Sequence, residues 1–304
     1  MFIVGCWMHD TVSVLSSVAK YPITTAIRLI ARRIPSQPYH RYAVLSRERG
    51  LTGVHLVVSF DCDTDEDASV VLGVHDRMVA MGISPMYAVP GTTLKRSATT
   101  YSKVLERGGT FLNHGSRPHS VPHGGSYRSV TFYDRMSRYE VRADVEKGHE
   151  DVCAVLGVEP SGFRTPHFGS FQRTTNLRFL HSILISMKYL YSSSTMPLWG
   201  FRCGPVFDRW GLIEFPVTGT YSSPADVRDS WSYFAAPDRK GTPSAYREEG
   251  RRVGAELRSA GSGVLNLYAD PVHIFDSDHF FGLLEELLTF AAPSSYDSLL
   301  QAAK

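Results

Sequence analysis

Apolar and polar positions along the chain change period in a repeating way. Val54, Leu56, Val57, Val58 and Phe60 form a short, β-branched apolar run that stops at acidic residues, the pattern of a strand buried on both faces. A helix-period stretch follows over 67–81 and ends at Gly82, and a second strand is predicted over 85–89. The alternation continues with a helix over 99–107 stopped by Gly108 and Gly109, a strand over 110–112, and a polar loop over 113–128 rich in His, Ser, Pro and Gly. A long helix is predicted over 133–156, with Asp134 as its cap and Gly157 as its stop. Phe163 begins another strand, and the pattern then gives a helix over 173–183 and strands over 187–191 and 212–217. A charged amphipathic helix over 244–257, a strand over 263–268 and an apolar helix over 279–290 complete it. Strands that are apolar throughout pair in parallel beneath helices, and in such barrels the ligand site collects at the C-terminal strand ends.

The N-terminal segment does not share this pattern. Its apolar residues over 11–34 are interrupted by Lys20 and Arg28, which is too broken for a membrane span. Lys20, Arg28, Arg32 and Arg33 give it a basic side, as on a helix lying at a membrane surface. A helix packed across the catalytic domain with a solvated basic face is the favoured reading. The expected organisation is therefore an N-terminal helical extension over 1–50 and one catalytic domain over 51–304, a length that such a barrel commonly reaches without splitting.

Composition changes the picture only by exclusion. With 43% hydrophobic and 20% charged residues the chain is globular, and a formal charge of +2 does not suit a nucleic-acid partner. Cys6, Cys62, Cys153 and Cys203 stand far apart with no CxxC, which argues against structural zinc and a disulfide framework and favours a cytoplasmic location.

Four strand ends carry the candidate chemistry. Asp61 and Asp63 lie two apart, so an extended chain presents both on one face; one can bind a cation while the other serves as a base. His114, His119 and His123 follow the strand over 110–112, and two imidazoles with one carboxylate leave positions open on a transition metal for water and substrate. Arg164, after the short strand at Phe163, can orient a carboxylate, with Asp61 as its natural client. Asp270 or His273, beyond the last strand, could protonate a leaving amine.

Together these pieces resemble the polysaccharide deacetylase superfamily, in its NodB-homology or carbohydrate esterase family 4 form, over about 54–290. Phe60-Asp61-Cys62-Asp63 looks like the variant branch of its first motif, which implies Asp61 as base and Asp63 as metal ligand. Gly108 to His114 resembles the lead-in to the second motif, which implies His114 as the first histidine ligand. The usual four-residue step to the next histidine falls on Pro118. Either one residue is inserted and His114 pairs with His119, which is favoured because His114 directly follows the strand, or the pair is His119 and His123. Phe163 to Gly169 resembles the motif whose arginine holds the base, Tyr191 to Ser194 the Tyr-x-Ser-Ser segment, and Leu212 to Val217 a Glu-x-Pro-Val segment often near the substrate groove. The family's late histidine is missing: Tyr268 stands at one of its usual places and Asp270-Pro271 at the other.

The resemblance implies an α/β fold, a distorted (β/α)7 barrel of the NodB type with an extra N-terminal helical segment. It implies a hydrolase that removes an N-acetyl group from an N-acetylated sugar with a divalent transition metal, zinc first, and cobalt, nickel or iron accepting the same ligands. A cytoplasmic enzyme with a basic, apolar N-terminal helix suggests a lipid- or nucleotide-linked glycan precursor and peripheral contact with the inner membrane face. The alternatives are hydrolysis of a C–N bond in a small metabolite and a catalytically silent carbohydrate-binding relative.

Overall fold

The computed structural model describes residues 26, 29, 30, 33, 34, 36–124, 126–236 and 241–303. Most of the basic N-terminal segment, with Cys6, Lys20, Arg28 and Arg32, lies outside the described residues. No helix among those described is long and apolar enough to cross a membrane.

The apolar runs form strands β1 (Gly53–Asp61), β2 (Met86–Val89) and β3 (Thr110–Asn113), then a hairpin of β4 (Ser120–His123) and β5 (Ser126–Ser129). Further along come β6 (Gly162–Phe163), β7 (Tyr191–Ser192), β8 (Phe207–Asp208), β9 (Ile213–Glu214), β10 (Ser262–Ala269) and β11 (Ala291–Pro293). The main sheet runs β10-β1-β2-β3-β6-β7-β9-β8, parallel throughout except for the β8–β9 pair. Seven parallel strands with helices in the connections make the expected distorted α/β barrel. β1 sits at its centre, pairing over eight residues with β10 and buried from Leu56 on apart from half-exposed His55 before it. Its other edge is shared: β11 pairs with Val54 to Leu56 and β2 with Ser59 to Asp61.

The gap between β9 and β10 is bridged by Asn266 together with Thr218, whose Oγ1 donates to Val264 O (3.3 Å) and accepts from Asn266 N (2.7 Å). Asn266 accepts at its carbonyl from Thr218 N (2.9 Å), and its side-chain Nδ2 donates to Phe215 O and Pro216 O at 3.2 and 2.9 Å. These bonds satisfy backbone groups that no ladder reaches.

Local chemistry decides where helices begin. Thr64 caps the Asp65–Ala80 helix in a capping box with Asp67. The long helix starts at Arg138 rather than at residue 133, because Ser137 and Glu140 form a capping box there; Tyr133–Arg135 is a separate 3-10 turn, and Asp134 is not the cap. Gly157, at φ 69°, ends that helix as expected. The strand expected over 187–191 begins only at Tyr191, because the preceding helix, Thr174–Ser186, keeps its apolar face through Ile183 and Leu184. The hairpin falls in the stretch expected as loop, and helices Gly91–Arg96, Pro197–Cys203 and Tyr296–Ala302 were not evident from periodicity.

The described end of the N-terminal extension is a helix, Ser36–Glu48, lying against the barrel. Tyr39 and Tyr42 are buried and donate from their hydroxyls to Thr220 O (2.6 Å) and Val264 O (2.9 Å). Each such ring contributes about 1.5–3 kcal/mol by burial.

Candidate functional site

The C-terminal ends of β1, β3, β6 and β10 converge on one cleft. β1 ends at Asp61; Cys62 turns into the core, its N–H bonded to Ala88 O, and Asp63 emerges beside Asp61. Asp61 is buried and accepts from Arg164 Nη1 at 2.7 Å. Burial pushes its pKa up to about 7, against the opposing pull of Arg164.

Arg164 is fully buried and almost saturated with partners. Nη2 donates to Ser59 Oγ (2.8 Å), Tyr296 OH (2.9 Å) and Ser193 Oγ (3.2 Å), and Nε to Ser193 O (3.3 Å). Burial works against its charge, but Asp61 and the surrounding acceptors keep the guanidinium ionised.

The histidines are placed by the loop after β3. Asn113, at the strand end, donates to Val145 O and Tyr189 OH, and its Oδ1 accepts from Gly115 N at 2.9 Å. Gly115 has φ 74°, and a Cβ there would lie 2.4 Å from Asp144 Oδ2, so only glycine fits. Asp144 then gathers Ser116 N (3.1 Å), Arg117 N (2.8 Å) and Tyr133 OH (2.8 Å). This clamp turns the chain so that His119 comes back over His114, their rings 4.2 Å apart at 77°.

Asp63, His114 and His119 form a group whose ligand atoms all lie within 4.8 Å of one another. His123 does not join them: it stands exposed on β4, at the cleft rim. Of the two pairings left open, His114 and His119 are the histidines that lie together.

The donor atoms of this group fit a cation. His114 Nδ1 lies 2.9 Å from Arg164 O, which can only accept, so Nδ1 carries the ring hydrogen and Nε2 keeps a lone pair. That lone pair faces Asp63 Oδ1 at 3.6 Å, acceptor against acceptor. His119 Nδ1 lies 3.0 Å from the same oxygen and leaves a buried Nε2 with no partner. Burial and the neighbouring His119 hold His114 well below the usual histidine range, and burial lowers His119 to about 4. Both rings are therefore neutral at pH 7, the form that coordinates. A positive ion among these atoms would relieve the facing lone pairs and supply the missing partner.

Beyond β10, Asp270 and His273 form a pair, Oδ2 to Nδ1 at 2.8 Å, and Ser230 Oγ touches both at 2.9 and 3.1 Å. Burial alone would lower the His273 pKa; the Asp270 charge outweighs it and raises the value above the usual 6.5. Asp61, Asp63, Asp270 and His273 all line a cleft of about 970 Å³, with the rings of Phe168, Tyr268 and Trp231 among its walls.

Glu214 is not in this groove. It is fully buried below it, accepting from Ser194 N (2.6 Å), Thr195 N (2.9 Å) and His181 Nε2 (3.0 Å). Ser59, Ser193, Asn266 and Tyr296, the cradle of Arg164, and Ser230, which holds the Asp270–His273 pair, were missed by sequence reasoning. Only Ser193 lay within a recognised motif.

No protein-family profile matches the chain, and no curated protein does. Solved structures do. A Mycobacterium smegmatis protein assigned as a polysaccharide deacetylase superposes with a TM-score of 0.63 at 18% identity, over 84% of this chain and 91% of that one. The Puue allantoinase gives 0.60 at 10% identity, over 83% and 90%. A carbohydrate esterase family 4 pseudoenzyme from Bacillus anthracis gives 0.51 at 9%, over 81% and 65%. The chain therefore has the fold of the polysaccharide deacetylases, the NodB-type distorted barrel.

Proposed function

We propose that this chain is a metal-dependent hydrolase that removes the N-acetyl group from an N-acetylated sugar. The observation that carries the reading is the meeting, at one set of strand ends, of the Asp63–His114–His119 group with the Asp61–Arg164 and Asp270–His273 pairs. Likeness of fold alone would not carry it, since an allantoinase and a pseudoenzyme share that fold.

Asp63, His114 and His119 would hold a divalent transition metal, zinc first, with cobalt, nickel or iron as alternatives; His123 is left outside the set. Such an ion supplies Lewis acidity to the acyl carbonyl and makes water a stronger nucleophile. Asp61 takes the proton from the attacking water: its pKa of about 7 suits a base at neutral pH, and Arg164 fixes its orientation. His273, whose hold on a proton the Asp270 charge strengthens against burial, gives its proton to the departing amine. The pair thus combines the two candidates for the acid, Asp270 holding the charge and His273 the proton.

The catalytic unit in this reading is 51–304, with Ser36–Glu48 closing the barrel from outside. A peripheral membrane role of the N-terminal helix draws support from Leu29, Ile30 and Ile34, which are about half exposed. Together with the separated cysteines it keeps the inner membrane face of the cytoplasm as the proposed location. Deleting residues 1–35 should then release the protein from anionic vesicles, and unchanged partitioning would count against the membrane part.

The test of function is metal content per chain and acetate release from N-acetylglucosamine oligomers, for the protein and for His114→Ala. One metal that falls with His114, together with acetate release, is expected. Metal with no acetate release would move the reading to another C–N bond, and absence of metal to a binding protein.

A further inference from the structure

Six of the residues lining the cleft are carboxylates: Asp61, Asp63, Glu66, Asp67, Asp229 and Asp270; among the described residues no lysine or arginine lines it. Arg164 reaches the cleft only through Asp61, its own side chain being fully buried. Asp63, Asp61 and Asp270 have places in the proposed chemistry, and Asp67 is tied into the helix cap. Glu66 and Asp229 have neither role.

Each of these two carboxylates shares the cleft wall with an aromatic ring, Glu66 with Tyr127 and Asp229 with Trp231. Glu66 accepts from Tyr127 OH of the hairpin. Asp229 is held by Ser232 N (2.7 Å) and Ser232 Oγ (2.9 Å), and two residues on is Trp231, 40% exposed, with its ring 5.6 Å from that of His273. An exposed indole next to the proton donor lies where the leaving-amine side of a substrate must pass. A ring face beside a carboxylate binds a sugar that carries an ammonium group: the apolar face of the pyranose stacks, and the cation meets both the carboxylate and the ring quadrupole.

Resting on the deacetylase reading above, we propose that the cleft selects a cationic glycan: an amino-sugar oligomer in which the unit next to the N-acetylated one already carries a free ammonium, stacked on Trp231 and paired with Asp229. Hydrolysis of each acetamide leaves one more ammonium on the glycan, so a partly deacetylated chain is the better substrate. A nucleotide-linked sugar brings a diphosphate into a cleft whose described lining offers it carboxylates and no lysine or arginine, and is disfavoured.

The experiment compares three probes on the metal-loaded protein at low and high salt: fully acetylated chitotetraose, the same tetramer with one free amine, and UDP-N-acetylglucosamine. The aminated tetramer is expected to show a KM about tenfold lower than the acetylated one, as for one charge-assisted contact, with the gap closing at high salt. Asp229→Asn, which keeps the shape and the Ser232 bonds, should abolish that gap, and Trp231→Ala should raise KM for the aminated tetramer. Equal KM values at low salt, or efficient turnover of the nucleotide sugar, would overturn the inference while leaving a deacetylase in place. If no probe releases acetate, the deacetylase reading fails, and calorimetric titration with fully deacetylated tetramer still decides the inference. Salt-sensitive binding that weakens in Asp229→Asn supports it, and no binding overturns it.

Discussion

Replacing Arg164 with Met tests whether the buried ion pair at the centre of the site is held by charge. The guanidinium is enclosed, touches Asp61 at 2.7 Å, and donates four further bonds to Ser59, Ser193 and Tyr296. Ser193 and Tyr296 keep other partners after the change, since the tyrosine hydroxyl also reaches Asn266 Oδ1 and Ser193 reaches Phe215 O. The loss therefore falls mainly on Asp61. Breaking a buried pair on one side costs roughly 3–5 kcal/mol when the remaining charge has no partner. The sign with pH follows from Asp61, whose pKa in the folded protein lies at about 7, above the ordinary 3.8. A raised carboxylate favours the fold at low pH, and that contribution is lost as pH rises through 7. Without Arg164 the folded-state pKa of Asp61 rises further, so the decline should continue above pH 7. At pH 8 the added loss is about 1.4 kcal/mol, one proton over the one pH unit above 7, for a total of roughly 2.5–3.5 kcal/mol. At pH 5 the carboxyl is neutral in both proteins, and the loss should shrink to about 1–2 kcal/mol of hydrogen bonding. Urea unfolding followed by tryptophan fluorescence, with chelator present throughout, measures both. An equal loss at the two pH values would refute the argument.

Tyr296→Phe removes one acceptor from Arg164 Nη2 while keeping the ring packed on Phe215; kcat should fall by about tenfold with KM little changed, as when a transition-state contact is misaligned, and a KM effect alone would show that Tyr296 is not a positioning residue. Glu214→Gln keeps the shape and the hydrogen-bond positions but removes the charge that Ser194 N, Thr195 N and His181 Nε2 share, and should cost about 1.5–3 kcal/mol. Burial opposes the charge of Glu214, yet His181 and the Ser194 N–H hold its pKa below 4.5. Its stabilisation is thus present above pH 4.5 and lost as pH falls through the depressed value, and the variant should show a flatter acid-unfolding curve in circular dichroism. Asp63→Asn should abolish metal retention measured by elemental analysis; intact metal content with intact turnover would remove Asp63 from the ligand set.

What could be read from the sequence depended on how close each group stands to a regular element. Asp61, Asp63, His114 and Arg164 each follow directly on a short apolar strand, so the strand itself announces them. His119 could not be separated from His123 in that way. Its position is set by three donors converging on Asp144, a residue inside the long helix whose spacing to the loop carries no local signature. The hairpin of β4 and β5 was hidden because Pro122 and the glycines around 124 read as loop. Asp270 and His273 were both found, but their pairing needed the short Pro271–Ile274 helix to bring them to the same side. Tyr296 had no signal at all: a lone tyrosine in a C-terminal stretch, thirty positions past the asparagine it meets.

The unsignalled residues explain why the legible ones work together. Asn266 closes the barrel by donating to Phe215 O and Pro216 O, while its Oδ1 accepts from the Tyr296 hydroxyl that Arg164 also reaches. The bonds that seal the sheet are thus continuous with those that aim the arginine. Arg164 in turn acts at both ends: its side chain holds Asp61, and its carbonyl sets the tautomer of His114. Asp61 and His114 are consequently both held by one residue, itself held by the closure of the barrel. A substitution that loosens the β9–β10 gap should therefore disturb Asp61 and His114 together, whereas one in the Asp144 clamp should displace His119 alone.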